Sequence, residues 1–139
     1  MPHLHVHSTF SFLEGTAAPA QLVARAASCG MPSLALTDTG GLYGAIPFYH
    51  AAKEAGIKPV LGAQLGGLVL LARTLAGYQR LCEIVTRYQL GKDKDNASTP
   101  GGGVPMDLLD DSLFVLSGDP KRLEALHRQG LRPIAALTL

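Results

Sequence analysis

Charge is scarce in this sequence and nearly balanced. Charged residues make up 17% of it, and the formal net charge is +1. A nucleic-acid-binding domain ordinarily carries a strongly basic face, so composition offers no direct DNA-binding signature. Cysteine is scarce too. Cys29 and Cys82 are far apart in sequence, and each falls on a predicted helix. They read as buried thiols of a reducing compartment, not as a disulfide framework. The longest apolar stretch, Leu65 to Ala72, falls far short of the roughly 20 residues a spanning helix needs. No membrane partner is expected. The opening Met-Pro-His has no basic region leading into an apolar run, so no secretory signal is expected and a cytoplasmic location follows. The glycines at Gly101-Gly102-Gly103 lack the Gly-Lys-Ser/Thr ending of a phosphate loop and do not follow a strand. There is no Gly-x-Ser-x-Gly elbow, and neither cysteine has a histidine at motif spacing, so nucleophilic acyl chemistry has no support.

What is present begins at the start of the chain, with His3-Leu4-His5-Val6-His7-Ser8. On a strand, residues two apart share a face. Leu4 and Val6 would pack inward, and the imidazoles would line the other side. Two imidazoles at that spacing can converge on one ion, but a catalytic zinc needs at least three protein ligands and a structural one four. The remainder reads as a single α/β domain spanning residues 1–139. Helices are expected from Pro19 to Gly30, from Ala45 to Ala55, from about Ala76, and from Pro120 with Asp119 as its N-cap. Strands are expected at 3–8, 33–38, 58–65, 68–72, 112–117 and 133–139, with Gly66-Gly67 as a tight turn. Residues 91–105 read as a flexible loop.

Strands alternating with helices favour right-handed crossovers and a mainly parallel sheet with helices outside. Sites in such folds collect at the carboxyl ends of strands. That rule gathers His5, His7, Glu14, Asp38, Thr39 and Gln64 at one mouth. His5 and His7 are either metal ligands or a polar layer hydrogen-bonded to Asp38. Glu14 is either a ligand or a loop carboxylate near a helix N-terminus, where negative charge is favoured. Asp38 is either a ligand or a cap on the following turn. His3 reads as an exposed strand start, His50 and His127 as solvated helix residues, and Tyr43 and Tyr49 as core aromatics before groove residues.

The motifs His-Leu-His-Val-His-Ser, Phe-Ser-Phe-Leu-Glu-Gly, Leu-Ala-Leu-Thr-Asp and Gly-Ile-Lys-Pro-Val-Leu-Gly occur in that order. Together they resemble the opening of a PHP (polymerase and histidinol phosphatase) domain, and the likeness covers nearly all of the chain. It is greatest to the branch found at the N-terminus of bacterial DNA polymerase III alpha subunits. Within that branch Leu-Val-Leu-Leu-Ala and Ala-Gly-Tyr-Gln-Arg-Leu-Cys lean toward the error-prone members. The resemblance implies a distorted (β/α) barrel, here partial, with metal ligands at the carboxyl-end mouth and, in active relatives, hydrolysis of phosphate esters. It makes His5, His7, Glu14 and Asp38 the candidate metal ligands. Zinc or manganese is the implied cofactor, with no metal at all as the alternative.

Two positions depart from the family pattern. Thr39 stands where active members carry histidine, and Gln64 where they carry a bridging glutamate. A neutral amide cannot supply that carboxylate's charge, and a hydroxyl is a poorer ligand than imidazole for a borderline-soft ion. The family's later histidines and its final Asp-x-His motif have no counterpart. The chain therefore resembles the first half to two-thirds of such a domain with a degraded metal site. The first expectation is a structural or interaction role, with replication or repair proteins or the remaining polymerase domains as partners. The second is a metal-dependent phosphoesterase of phosphatase or 3′–5′ exonuclease type. The third is a truncated fold that forms a homodimer through the edge near residues 133–139.

Overall fold

The computed structural model describes residues 2–91 and 103–136. In chain order its elements are α1 (Pro19–Ser28), β1 (Ser33–Thr39), α2 (Ala45–Glu54), β2 (Lys58–Leu65), β3 (Leu68–Ala72), α3 (Leu75–Leu90), a 3₁₀ turn (Met106–Leu108), β4 (Leu113–Ser117), α4 (Pro120–Arg128) and β5 (Ile134–Ala135). The strands form one sheet in the order β1-β2-β3-β4-β5. β1 and β2 are parallel, as are β4 and β5, and β3 runs antiparallel to both its neighbours. Four of the five strands therefore point the same way, giving the mainly parallel α/β sheet that the element order implies.

Local chemistry explains the boundaries. Pro19 opens α1, where its missing N–H is no loss, and the Gln21 side chain accepts from the Ala18 N–H at 2.9 Å. Asp119 caps α4 by accepting from the Lys121 N–H at 2.9 Å, with Pro120 in the first turn. Thr74 caps α3. Leu65 pairs with Leu68 across Gly66 and Gly67, whose φ values of 53° and 81° give the two-residue hairpin turn that joins β2 to β3.

All four helices pack on one face of the sheet. Val23 and Ala26 of α1 and Phe48 and Ala52 of α2 cover Leu34 and Leu36 of β1. Leu81 and Ile84 of α3 and Leu126 of α4 join Leu65, Leu68, Leu70, Leu113 and Val115. Each of the buried leucines, isoleucines, valines and the phenylalanine contributes about 1.5–3 kcal/mol. The opposite face carries a smaller cluster of Ala35, Val69, Leu71 and Leu116. A sheet with helices outside and a thin apolar inner face is the arrangement of part of a (β/α) barrel.

Several expectations need correction. Residues 3–8 do not form a regular strand, and only His3 makes a bridge, to Leu34. The Ala35 N–H donates to the His3 carbonyl at 2.9 Å, and the Thr37 N–H to the Val6 carbonyl at 2.8 Å. Two residues of β1 thus oppose three of this segment, and the ladder slips as at a bulge. The Val6 N–H turns to the Thr37 hydroxyl at 3.0 Å instead. Cys29 is exposed, because it falls on the C-cap beyond the buried stripe of α1, and Cys82 is half-buried. Tyr43 and Tyr49 are exposed while Phe48 fills the core position on α2. Of the stretch 91–105, residues 92–102 lie outside the described residues, Gly91 caps α3, and Val104 is buried in the core. For the last expected strand, β5 spans two residues, and 137–139 lie outside the described residues.

Candidate functional site

The site lies where β1 and β2 end. Thr39 and Gln64 are register partners on these parallel strands. The Gly40 N–H donates to the Gln64 carbonyl at 2.9 Å, which fixes that rung. Residues 5–8 run alongside β1 and bring two imidazoles over Gln64. Gln64 Oε1 lies 2.7 Å from His5 Nε2 and 2.8 Å from His7 Nε2, and the two Nε2 atoms are 3.0 Å apart. The rings meet edge to face with centroids 4.8 Å apart. On its other side His7 Nδ1 is 3.1 Å from Glu14 Oε2, and the Thr39 hydroxyl donates to that same carboxylate oxygen.

Asp38 stands apart from this cluster. Successive side chains on a strand point to opposite faces. Thr39 shares a face with Gln64, so Asp38 shares one with Leu36, beneath the helices. Its carboxylate is buried and accepts three kinds of donor. The Ser8 N–H donates to Oδ1 at 2.7 Å, the Ser11 hydroxyl to Oδ1 at 2.7 Å, and the Ser8 hydroxyl to Oδ2 at 2.8 Å. The start of α2 also lies close, since a Cβ on Gly44 would sit 2.7 Å from Oδ2. A helix N-terminus favours a negative charge there. Asp38 thus caps no following turn, and its partners are serines, not His5 or His7. It ties the preceding loop to β1. Ser11 completes the tie by accepting from the Thr39 N–H at 3.0 Å.

This loop aims Glu14. The Glu14 and Gly15 N–H groups both donate to the Ser11 carbonyl, at 3.1 and 3.0 Å, and Leu13, just before Glu14, takes a φ of 64°. Gly15 passes so close to Ser8 that a Cβ on it would sit 1.9 Å from the Ser8 carbonyl oxygen. Phe12 and Leu13 project outward at 87% and 91% exposure, with Glu14 turned back toward His7.

Ligands on a tetrahedral zinc with bonds of about 2.0–2.1 Å lie roughly 3.3–3.4 Å apart. The sides of the His5, His7 and Gln64 triangle, 2.7, 2.8 and 3.0 Å, are shorter than that. Its chemistry does not fit a tightly held divalent ion. Two imidazoles and an amide bring no negative charge, and both nearby carboxylates are engaged elsewhere, Glu14 with His7 Nδ1 and Thr39, Asp38 with Ser8 and Ser11. Among the described residues, no group of three His, Cys, Asp or Glu side chains could hold a metal ion. His3, His50 and His127 are exposed, and none of them joins the cluster. Sequence reasoning missed Ser8 and Ser11. The available signal was strand parity, because an aspartate directed under a helical layer must find local donors.

The sheet, its outer helices and a histidine pair at the strand carboxyl ends define an α/β protein of partial (β/α)-barrel type. Residues 3–134 match the PHP domain, and the chain belongs to that family. It is 48% identical over 104 residues to an error-prone DNA polymerase of Symbiobacterium thermophilum, a match covering 71% of this chain and 9% of the relative. It is 42% identical over 109 residues to a DNA polymerase III subunit alpha of Buchnera aphidicola, covering 70% of this chain and 9% of that protein. The chain thus spans about a tenth of the length of these relatives. A crystal structure from Bifidobacterium adolescentis, assigned as a metal-dependent phosphoesterase, superposes with a TM-score of 0.59 at 15% identity. It covers 95% of this chain and 75% of that one, a likeness of fold. No described helix is long and apolar enough to cross a membrane.

Proposed function

We propose that this chain serves as the PHP domain of a DNA polymerase III alpha-like protein in replication or repair. Its role is structural and interactive, holding other polymerase domains and docking replication or repair proteins, and its metal site is degraded. One observation carries this reading: a neutral amide, Gln64, bridges the two imidazoles that a divalent ion would need. Metal-assisted hydrolysis requires a cation held in an open coordination site, and the charge to hold one is missing. The test is an assay of phosphomonoester and 3′-labelled oligonucleotide hydrolysis with added Mn²⁺ or Zn²⁺. The expected result is no activity above that of His7→Ala. Hydrolysis that vanishes in His7→Ala, with the circular dichroism spectrum unchanged, would overturn the proposal.

One contact favours the second reading, a phosphoesterase. Glu14 faces His7 Nδ1, and a metal-binding histidine usually gives its other N–H to a carboxylate in this way. With Asp38 turned away, that reading has to draw its missing ligands from outside the described residues or from another chain.

A further inference from the structure

We infer that Gln64 is the residue that sets the affinity of this site for divalent cations, and that its amide holds the histidine pair together in the cation's place. The inference rests on the charge-depleted site described under Proposed function. An amide oxygen has two lone pairs and accepts two hydrogen bonds. Gln64 Oε1 is within hydrogen-bond distance of both Nε2 atoms. Lying against both Nε2 atoms, it covers the two ring positions that a cation would otherwise use. A cation entering there breaks both contacts and gains only a neutral oxygen.

The backbone of Gln64 is fixed by the β1–β2 rung and by the Gly40 N–H, which roots its side chain beneath the pair. The histidines depend on it in turn, since the segment carrying them is not a regular strand. The supports around the pair are already those of a ligand site. Glu14 orients His7 from behind, and Thr39 holds Glu14. What is absent is one negative charge at the centre. A glutamate at position 64 has the same length and shape as the glutamine and would face the same two rings. It adds the formal charge that oxygen-ligated divalent ions require.

Isothermal titration of the purified chain with MnCl₂ and with ZnCl₂ tests this on wild type, Gln64→Glu, and Gln64→Glu combined with His7→Ala. We expect wild type to bind no better than His5→Ala/His7→Ala. Gln64→Glu should gain at least about tenfold in affinity, a modest return for a full charge facing a cation, and His7→Ala should abolish the gain. If Gln64→Glu is unstable, Gln64→Asp supplies the same charge one methylene shorter and must also bind more tightly than wild type. Weak binding by wild type with no gain in either variant overturns this inference alone. Tight stoichiometric binding by wild type overturns the charge-depleted reading as well.

Discussion

Asp38 shows how a single side chain can match a motif and serve a different end. Its buried carboxylate gathers the Ser8 N–H, the Ser8 hydroxyl and the Ser11 hydroxyl, and hydrogen bonds to a charged group are worth about 1.5–3 kcal/mol each. Asp38→Ala leaves those donors without their acceptor. We predict a loss of about 3 kcal/mol in urea unfolding, and an unchanged midpoint would refute the anchoring role. Asp110 gives a residue-scale prediction in pH. The Ser112 hydroxyl and backbone N–H hold its carboxyl below the ordinary value of 3.8, with Arg80 adding to them. A carboxyl lowered on folding stabilises the native state above its unfolded value, and this is lost as pH falls through the folded value. Melting curves of wild type and Asp110→Ala should therefore differ near neutrality and converge well below pH 3.8. A constant offset down to pH 2 would contradict the assignment.

At the scale of elements, the loop from Ser8 to Gly15 decides whether a site exists. Leu13 lies in the left-handed region, which costs a residue with a Cβ about 1–2 kcal/mol. Leu13→Gly should raise stability by up to about 1 kcal/mol, reduced by glycine's larger unfolded-state entropy, and lower stability would show that the Leu13 side chain contributes. Gly15→Ala should have the opposite effect, because its Cβ would meet the Ser8 carbonyl oxygen at 1.9 Å. The backbone must shift, and the imidazole resonances of His7 should shift with it in NMR spectra. Unmoved His7 signals would sever Gly15 from the site. The starts of α1 and α4 and the β2–β3 hairpin were legible in the sequence because Pro19, Asp119-Pro120 and Gly66-Gly67 are local signals acting through backbone chemistry. The first segment was legible only in part. Alternation brought His5 and His7 together, but the slip between His3 and Val6 is a tertiary fit to β1 that no periodicity encodes. The partners of the histidines were misread for a similar reason. Gln64 and Glu14 meet them by strand register and loop curvature, whereas Asp38 is removed by parity.

At the scale of the molecule, the helices cover one sheet face fully and leave the other thin. Next to the inner cluster lies a cavity of about 440 Å³ lined by Leu4, Val60, Leu71, Phe114, Leu116 and Ile134 among others. Phe114 and Ile134 are partly exposed on it. Under the interactive role proposed above, this is the face that another protein surface would cover. The family was legible from motif order alone, since His-x-His, Glu-Gly and Thr-Asp survive as local words. Whether the site retains a cation is a question of charge arrangement, which those words do not carry. Metal content of the untagged protein, by elemental analysis of wild type and His5→Ala/His7→Ala after dialysis without chelator, tests this most directly. No stoichiometric metal is expected in either sample. Near-stoichiometric zinc or manganese in wild type that disappears in the double variant would contradict it.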